Sequence, residues 1–263
     1  MTARRHSRST SAIAAVAAAF IVVPLASVIW RTPFSDIWSV VSSTASLQAL
    51  RVSLQTSVVS ALVSCVLGVP LAWWLARSGS RLVRTVRTLS IAPMVLPPVV
   101  GGIALLTAFG RRGVVGEPLD EWFGVTVPFT AVAVVMAQVF VSMPFLVISV
   151  EAAFRQAGTD LEDAARTLGA RPNRVFWQVA LPAARPALAA GAMLAWARSL
   201  GEFGATITFA GSLPGRTQTL PMAVYEYAAV DYRQSLVLSL VLIVISVGVL
   251  LSLRDRWIGA VTR

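Results

Sequence analysis

Residues 159–186 read TDLEDAARTLGARPNRVFWQVALPAARP, a polar and charged stretch inside a chain that is otherwise mostly apolar. Its local signals describe two short helices joined by a tight turn. Thr159 and Glu162 have the spacing of a capping box, in which the hydroxyl takes an orphan amide hydrogen and the carboxylate returns to another. Asp160, Glu162 and Asp163 place negative charge at the positive end of the helix dipole. Leu161, Ala164, Ala165 and Leu168 recur at helical spacing and form one apolar stripe, with Glu162, Asp163, Arg166 and Thr167 facing elsewhere. Gly169 suits a left-handed C-terminal cap, and Pro172 suits the first turn of a second helix, where its missing amide hydrogen costs nothing. A helix this short cannot span a bilayer, so it either lies on the membrane or fills a groove on another protein. The alanine-rich stripe favours close docking.

Around this stretch lies an integral membrane protein. Of 263 residues, 56% are hydrophobic and 13% charged. All 22 Lys+Arg residues are arginine. Without lysine the chain offers neither the P-loop amine that holds a nucleotide's phosphates nor a Schiff base, so any ATP it works with is bound by a partner. Cys65, the single cysteine, falls in an apolar run, and His6, the single histidine, lies in the N-terminal tail. A His/Cys metal cluster or a histidine-based triad therefore lacks its raw material.

Residues 1–11 are basic, carrying Arg4, Arg5 and Arg8, and residues 12–30 are an apolar run long enough to cross the hydrocarbon. Its length, and the lack of a convincing small-residue cleavage site, favour an uncleaved first span over a signal peptide. A second span is expected at 52–76, ending in Trp73-Trp74 as an interfacial aromatic belt. The third, 89–109, holds Pro93, Pro97, Pro98, Gly101 and Gly102 and should kink and pack inside the bundle. The loop 110–127 is net negative, which predicts an external position. Further spans are expected at 128–150, at about 186–209 and, after a polar stretch at 210–234, at about 235–253, with Arg254, Arg256 and Arg263 closing the chain.

Six spans put both termini on one side of the membrane. Segments 1–11, 77–88, 151–185 and 254–263 hold 15 of the 22 arginines, so the positive-inside rule places them in the cytoplasm. That distribution accounts for most of the formal charge of +10 and makes a nucleic-acid role unnecessary. Neither an internal repeat nor a low-complexity linker is evident. The organisation expected is a cytoplasmic basic tail, first span and external loop over 1–49, one membrane domain over 50–253, and a cytoplasmic tail over 254–263.

Asp163-Ala164-Ala165, then Gly169, then Val179-Ala180-Leu181-Pro182 resemble in full spacing the EAA signature of binding-protein-dependent ABC importer permeases. Asp163 stands for the usual Glu and Val179 for the usual Ile, which leaves charge and apolar character intact. The resemblance implies an all-α fold of six transmembrane helices, the type I importer permease fold. It also implies that residues 159–182 are a cytoplasmic coupling loop between spans 4 and 5. Leu161, Asp163, Ala164, Ala165, Leu168, Gly169, Leu181 and Pro182 would meet a separate ATPase subunit there. Gly201-Glu202-Phe203-Gly204-Ala205-Thr206, Ala210-Gly211, Pro214-Gly215, Thr217-Gln218-Thr219-Leu220-Pro221 and Tyr225 look like the molybdate branch of that family, as do Pro97-Pro98, Gly101-Gly102 and Pro144-Phe145. Sulfate permeases are similar but less close. Partners implied are a second copy of the chain, two ATPase subunits carrying ATP and Mg, and an extracytoplasmic molybdate-binding protein.

Arg198 and Glu202 stand four apart in the expected fifth span, with Arg198 ~18 Å along its axis and close to mid-membrane. They line an anion path or form an ion pair that locks helices together. Thr206 and Thr208 offer hydroxyls that guide an oxyanion without trapping it, while Gly201, Gly204 and Ala205 read better as close-packing positions. The rivals are an ion-gradient-driven carrier, for which Glu202 is thin support, and a membrane-embedded enzyme, for which the residues are lacking.

Overall fold

The computed structural model describes residues 8–261; the tail residues Arg4, Arg5, His6 and Arg263 lie outside them. Among the described residues there are helices and turns and no strand. Among the described residues four helical stretches are long and apolar enough to cross a membrane: Ser11–Arg31, Thr44–Arg77, Ala131–Gln156 and Tyr232–Val249. A fifth arises if Pro172–Ala183 and Arg185–Leu200, bent by 77°, count as one span.

The first described helix is α1 (Arg8–Arg31), whose apolar window holds no buried residue. A short 3₁₀ turn and α2 (Ile37–Val41) lead into α3 (Thr44–Arg77), capped by the Ser43 hydroxyl. The connection read as polar at 31–50 is thus partly helical. α4 (Arg81–Val95) and α5 (Pro98–Phe109) share the expected third span. The expected kink is a full break: Pro97 and Pro98 bring no amide hydrogens, and the residue before a proline is driven out of the helical region, as Leu96 is at φ −66, ψ 137. After α6 (Gly116–Phe123) comes α7 (Ala131–Gln156), and then the loop carrying α8 (Asp160–Thr167), α9 (Pro172–Val175), a π-helical turn Phe176–Ala180 and α10 (Leu181–Ala183).

The expected fifth span is not one helix. α11 (Arg185–Leu200) stops, and α12 (Gly204–Ala210) begins after a break at residues 201–203. The polar stretch after it contains α13 (Leu220–Val230), and α14 (Tyr232–Val261) continues as helix through the segment read as a tail.

Two ends of the bundle are marked by separate apolar clusters. At one end Val69, Leu75, Val83, Val147, Phe154 and Phe176 pack together, joining the late turns of α3 and α7, the start of α4 and the loop after α7. At the other end Leu105, Ala133, Val134, Ala205 and Phe209 join α5, the start of α7 and α12. Hence α3 and α7 lie side by side and both finish at the first cluster, while α4–α5 and α11–α12 run back from it toward the second. Ser53, Ser57, Ser60, Ser64 and Gly68 give α3 a buried small-residue face, which lets backbones approach where apolar burial alone drives nothing in lipid.

Two glycines set the close contacts. A Cβ on Gly68 would meet Leu146 Cδ2 at 2.7 Å, and one on Gly102 would meet the Ala205 carbonyl oxygen at 2.7 Å and Thr208 Cβ at 2.8 Å. Since the Gly102 clash includes backbone, it cannot be relieved by a rotamer change. Gly102→Ala should therefore destabilise the purified protein by roughly 1–3 kcal/mol through overpacking. Gly79→Ala, where a Cβ meets nothing within 4 Å, should leave it unchanged. Thermal unfolding in detergent compares the two, and equal melting temperatures would refute the α5–α12 packing.

Candidate functional site

The loop after α7 is built between two glycines in the left-handed region, Gly158 at φ +66 and Gly169 at φ +83. Gly169 closes α8 as the sequence predicts. Its amide reaches the Arg166 carbonyl at 2.9 Å and the Ala170 amide reaches the Ala165 carbonyl at 3.0 Å, the paired bonds of a Schellman cap. Pro172 opens α9, also as expected.

The start of α8 differs from expectation. Thr159 has φ −114 and ψ −7, outside the extended region a capping residue needs, and its side chain makes no cap hydrogen bond. Glu162 turns inward instead and is 3% exposed. Its Oε1 accepts from Arg77 Nε at 3.0 Å, Arg77 Nη2 at 2.7 Å and Trp73 Nε1 at 3.4 Å; its Oε2 accepts from Arg166 Nη2 at 3.2 Å. A charge-assisted fork outweighs one neutral cap bond, so the carboxylate goes to the arginine. Asp163 stays at the surface, where hydrogen bonding from Thr159 and then Arg166 holds its carboxyl below the usual range. It is an anion at neutral pH.

The apolar stripe has little cover within the chain. Leu161 is 68% and Leu168 88% exposed, Ala164 is exposed and Ala165 half-buried. Leu181 packs on the first cluster, and Pro182 occupies the first turn of α10. Trp73, expected in an interfacial belt beside Trp74, is turned inward: its ring lies 5.1 Å from that of Phe176. Trp74 keeps an exposed edge.

The end of α3 is tied down twice more. Glu151 Oε1 accepts from Arg87 Nε and from Arg155 Nε, each at 2.8 Å. The same two arginines donate to the Leu75 carbonyl, at 2.7 and 3.2 Å. Each therefore serves one carboxylate and one end-of-helix carbonyl. Arg155 and Glu151 stand at helical spacing, but the Arg87–Glu151 and Arg77–Glu162 pairs join residues 64 and 85 positions apart, for which the sequence carries no periodic signal.

A second polar constellation sits at the break between α11 and α12. Arg198 and Glu202 do pair, Nη1 to Oε2 at 2.7 Å, but Glu202 lies in the break rather than on a continuous helix. Its Oε1 accepts from the Ala205 amide at 2.9 Å and so caps α12. Glu202 is 1% exposed, whereas the Arg198 side chain is 30% exposed. Removing one partner of a buried pair costs about 3–5 kcal/mol. Thr206 is buried within the chain, and Thr208 donates to the Gly204 carbonyl while packing on Gly102 of α5. The four expected path residues therefore cluster, but only Arg198 and Thr208 retain exposure. Phe203 and Tyr225 rings, 5.0 Å apart, link the break to α13. Among the described residues, no group of three or more His, Cys, Asp or Glu side chains could hold a metal ion.

Known proteins resemble this chain in sequence and in fold. Residues 68–262 match the family described as binding-protein-dependent transport system inner membrane component. The chain is 48% identical over 245 residues to the molybdenum transport system permease protein ModB of Mycobacterium bovis, covering 93% of this chain and 92% of that one. It is 41% identical over 219 residues to the ModB protein of Escherichia coli, covering 82% and 94%. In structure it is similar to a chain of a bacterial ABC transporter involved in the import of the acidic polysaccharide alginate, with a TM-score of 0.69 over 90% of this chain and 88% of that one at 17% identity. The family match over most of the chain and the two permease relatives, each nearly spanned, lead to one conclusion: this chain belongs to the binding-protein-dependent inner membrane permeases of ABC importers, among the molybdenum transport permeases.

Proposed function

We propose that the chain is the permease subunit of an ATP-driven molybdate importer in a bacterial cell membrane. One observation carries the reading: 41–48% identity to molybdenum permeases over most of the chain. The reading assigns six spans, with α4–α5 and α11–α12 each crossing as a broken pair and both termini in the cytoplasm. Residues 1–49 are then tail, first span and external loop, 50–253 the permease domain and 254–263 the second tail. Two copies enclose the path, two ATPase subunits bind ATP and Mg below, and an extracytoplasmic molybdate-binding protein delivers the anion above.

The uncovered stripe Leu161, Ala164, Ala165 and Leu168 supports α8 as the helix that docks into the ATPase, with anionic Asp163 beside it. Closure of the ATPase pair on ATP pushes α8 and tilts the bundle between inward and outward openings, alternating access by rigid elements. Arg198 offers the partly exposed charge for the oxyanion, held in place by Glu202, with Thr206 and Thr208 at the same break.

Uptake competition in a strain dependent on this chain tests the cargo. Molybdate and tungstate should compete about equally, since their size and charge nearly coincide, and sulfate only weakly. Sulfate competing as well as molybdate would move the chain to the sulfate branch, and anion uptake by the reconstituted chain without ATPase subunits would make it an ion-gradient-driven carrier.

Gly169→Val should leave assembly and anion preference intact while reducing uptake per ATP hydrolysed, because a branched residue at φ +83 costs roughly 1–2 kcal/mol and unwinds the cap of α8. A changed molybdate-to-sulfate preference in that variant would count against the assignment. Arg198→Gln at normal abundance should slow uptake about tenfold, the equivalent of roughly 1.4 kcal/mol. Normal uptake by both Arg198→Gln and Glu202→Gln would remove the pair from the path.

A further inference from the structure

Helix α8 is joined to the rest of the chain in an unusual way. Gly158 and Gly169 flank it, both in the left-handed region and both with nothing within 4 Å of where a Cβ would stand. Its leucines face outward. Because the helix is short and flanked by glycines, a push on it reaches the bundle through the side chains that tie it to the other helices. Glu162 is the residue of α8 that is buried, and its carboxylate is held by Arg77 and Trp73 of the last turn of α3. Arg77 Nη2 also reaches the Gly158 carbonyl at 2.7 Å, so the same guanidinium clasps the first joint. The turn of α3 that receives these bonds is fastened in turn to α4 and α7 by Arg87, Arg155 and Glu151.

We propose that the Arg77–Glu162 ion pair is the latch that carries displacement of α8 into α3, and through the Glu151 cluster into α4 and α7. Arg77 and Glu162 are positioning residues: neither meets ATP or the anion. The inference rests on the reading of α8 as the ATPase-docking helix. It goes beyond that reading by naming the inward route of the push, which runs through a side-chain bond and not through the backbone at residues 157–158 and 169–170. A guanidinium suits the task because its planar fork holds a carboxylate oxygen and a carbonyl together, which an ammonium cannot do with fixed geometry.

The test uses the complex of this chain with its ATPase subunits in proteoliposomes, supplied with binding protein and molybdate. Molybdate taken up per ATP hydrolysed is measured for Glu162→Gln, Arg77→Gln and the double variant, alongside copurification of the ATPase. Each single variant should keep hydrolysis and copurification and lose about tenfold in uptake per ATP, and the double variant should lose no more than either single, because both break one link. A wild-type ratio in the singles, or losses that multiply in the double, would overturn the latch. If the glutamine variants fail to assemble, Arg77→Lys keeps the charge and should assemble with a ratio between wild type and tenfold reduced; a wild-type ratio there also overturns it. A wild-type complex without ATP-driven uptake would instead refute the importer reading. The latch is then judged by trypsin cleavage after Arg166 in inverted membrane vesicles: several-fold faster cleavage in Glu162→Gln supports it, and equal cleavage overturns it.

Discussion

A helix that ends inside a protein leaves carbonyl groups without amide partners, and burying them unpaired is costly. The last turn of α3 meets this constraint with guanidinium groups: two on the Leu75 carbonyl, and a third turned to α8. Arg87 and Arg155 also hold Glu151 of α7, and Arg77 holds Glu162 of α8. The end of one helix thereby becomes the meeting point of α4, α7 and α8. The aromatic pair Trp73 and Phe176 fills the space beside it and adds the apolar half of the same junction.

The opposite problem arises where a span is interrupted. At residues 201–203 the chain breaks between two helices, and Glu202 answers twice, capping α12 through one oxygen and holding Arg198 through the other. A carboxylate used this way needs no exposed surface, which explains why Glu202 is buried while its arginine reaches outward. At Leu96 the break is made by two prolines and needs no charge, because the missing donors belong to the prolines themselves.

Much of this was legible in the sequence. The four long apolar runs, the Schellman cap at Gly169, Pro172 opening a helix and the outward stripe on α8 follow from local chemistry and appear in the structure as read. The EAA spacing gave the family, because its residues lie close together in the chain and read as one motif. What was not legible depended on distance. Nothing in the stretch 159–163 reveals that Glu162 has an arginine 85 residues upstream to satisfy, so the local capping rule predicted a box that a stronger remote partner dismantled. The break at Glu202 was hidden because the mainly apolar stretches on either side of it read as one continuous run.

The side-by-side course of α3 and α7 has a consequence for biosynthesis. Two helices pointing the same way cannot be joined by a tight turn, so α4, α5 and α6 must be made before α7 can meet α3. Until then the part of the small-residue face of α3 around Gly68 has no α7 to close against, while Ser53 and Ser57 await still later partners, the Leu220 amide of α13 and the Trp196 indole of α11. The pairing that buries this face is non-local, and contacts of that kind form late and slowly. Synthesis of α7 therefore begins the closure of that face, and synthesis of α11 and α13 completes it.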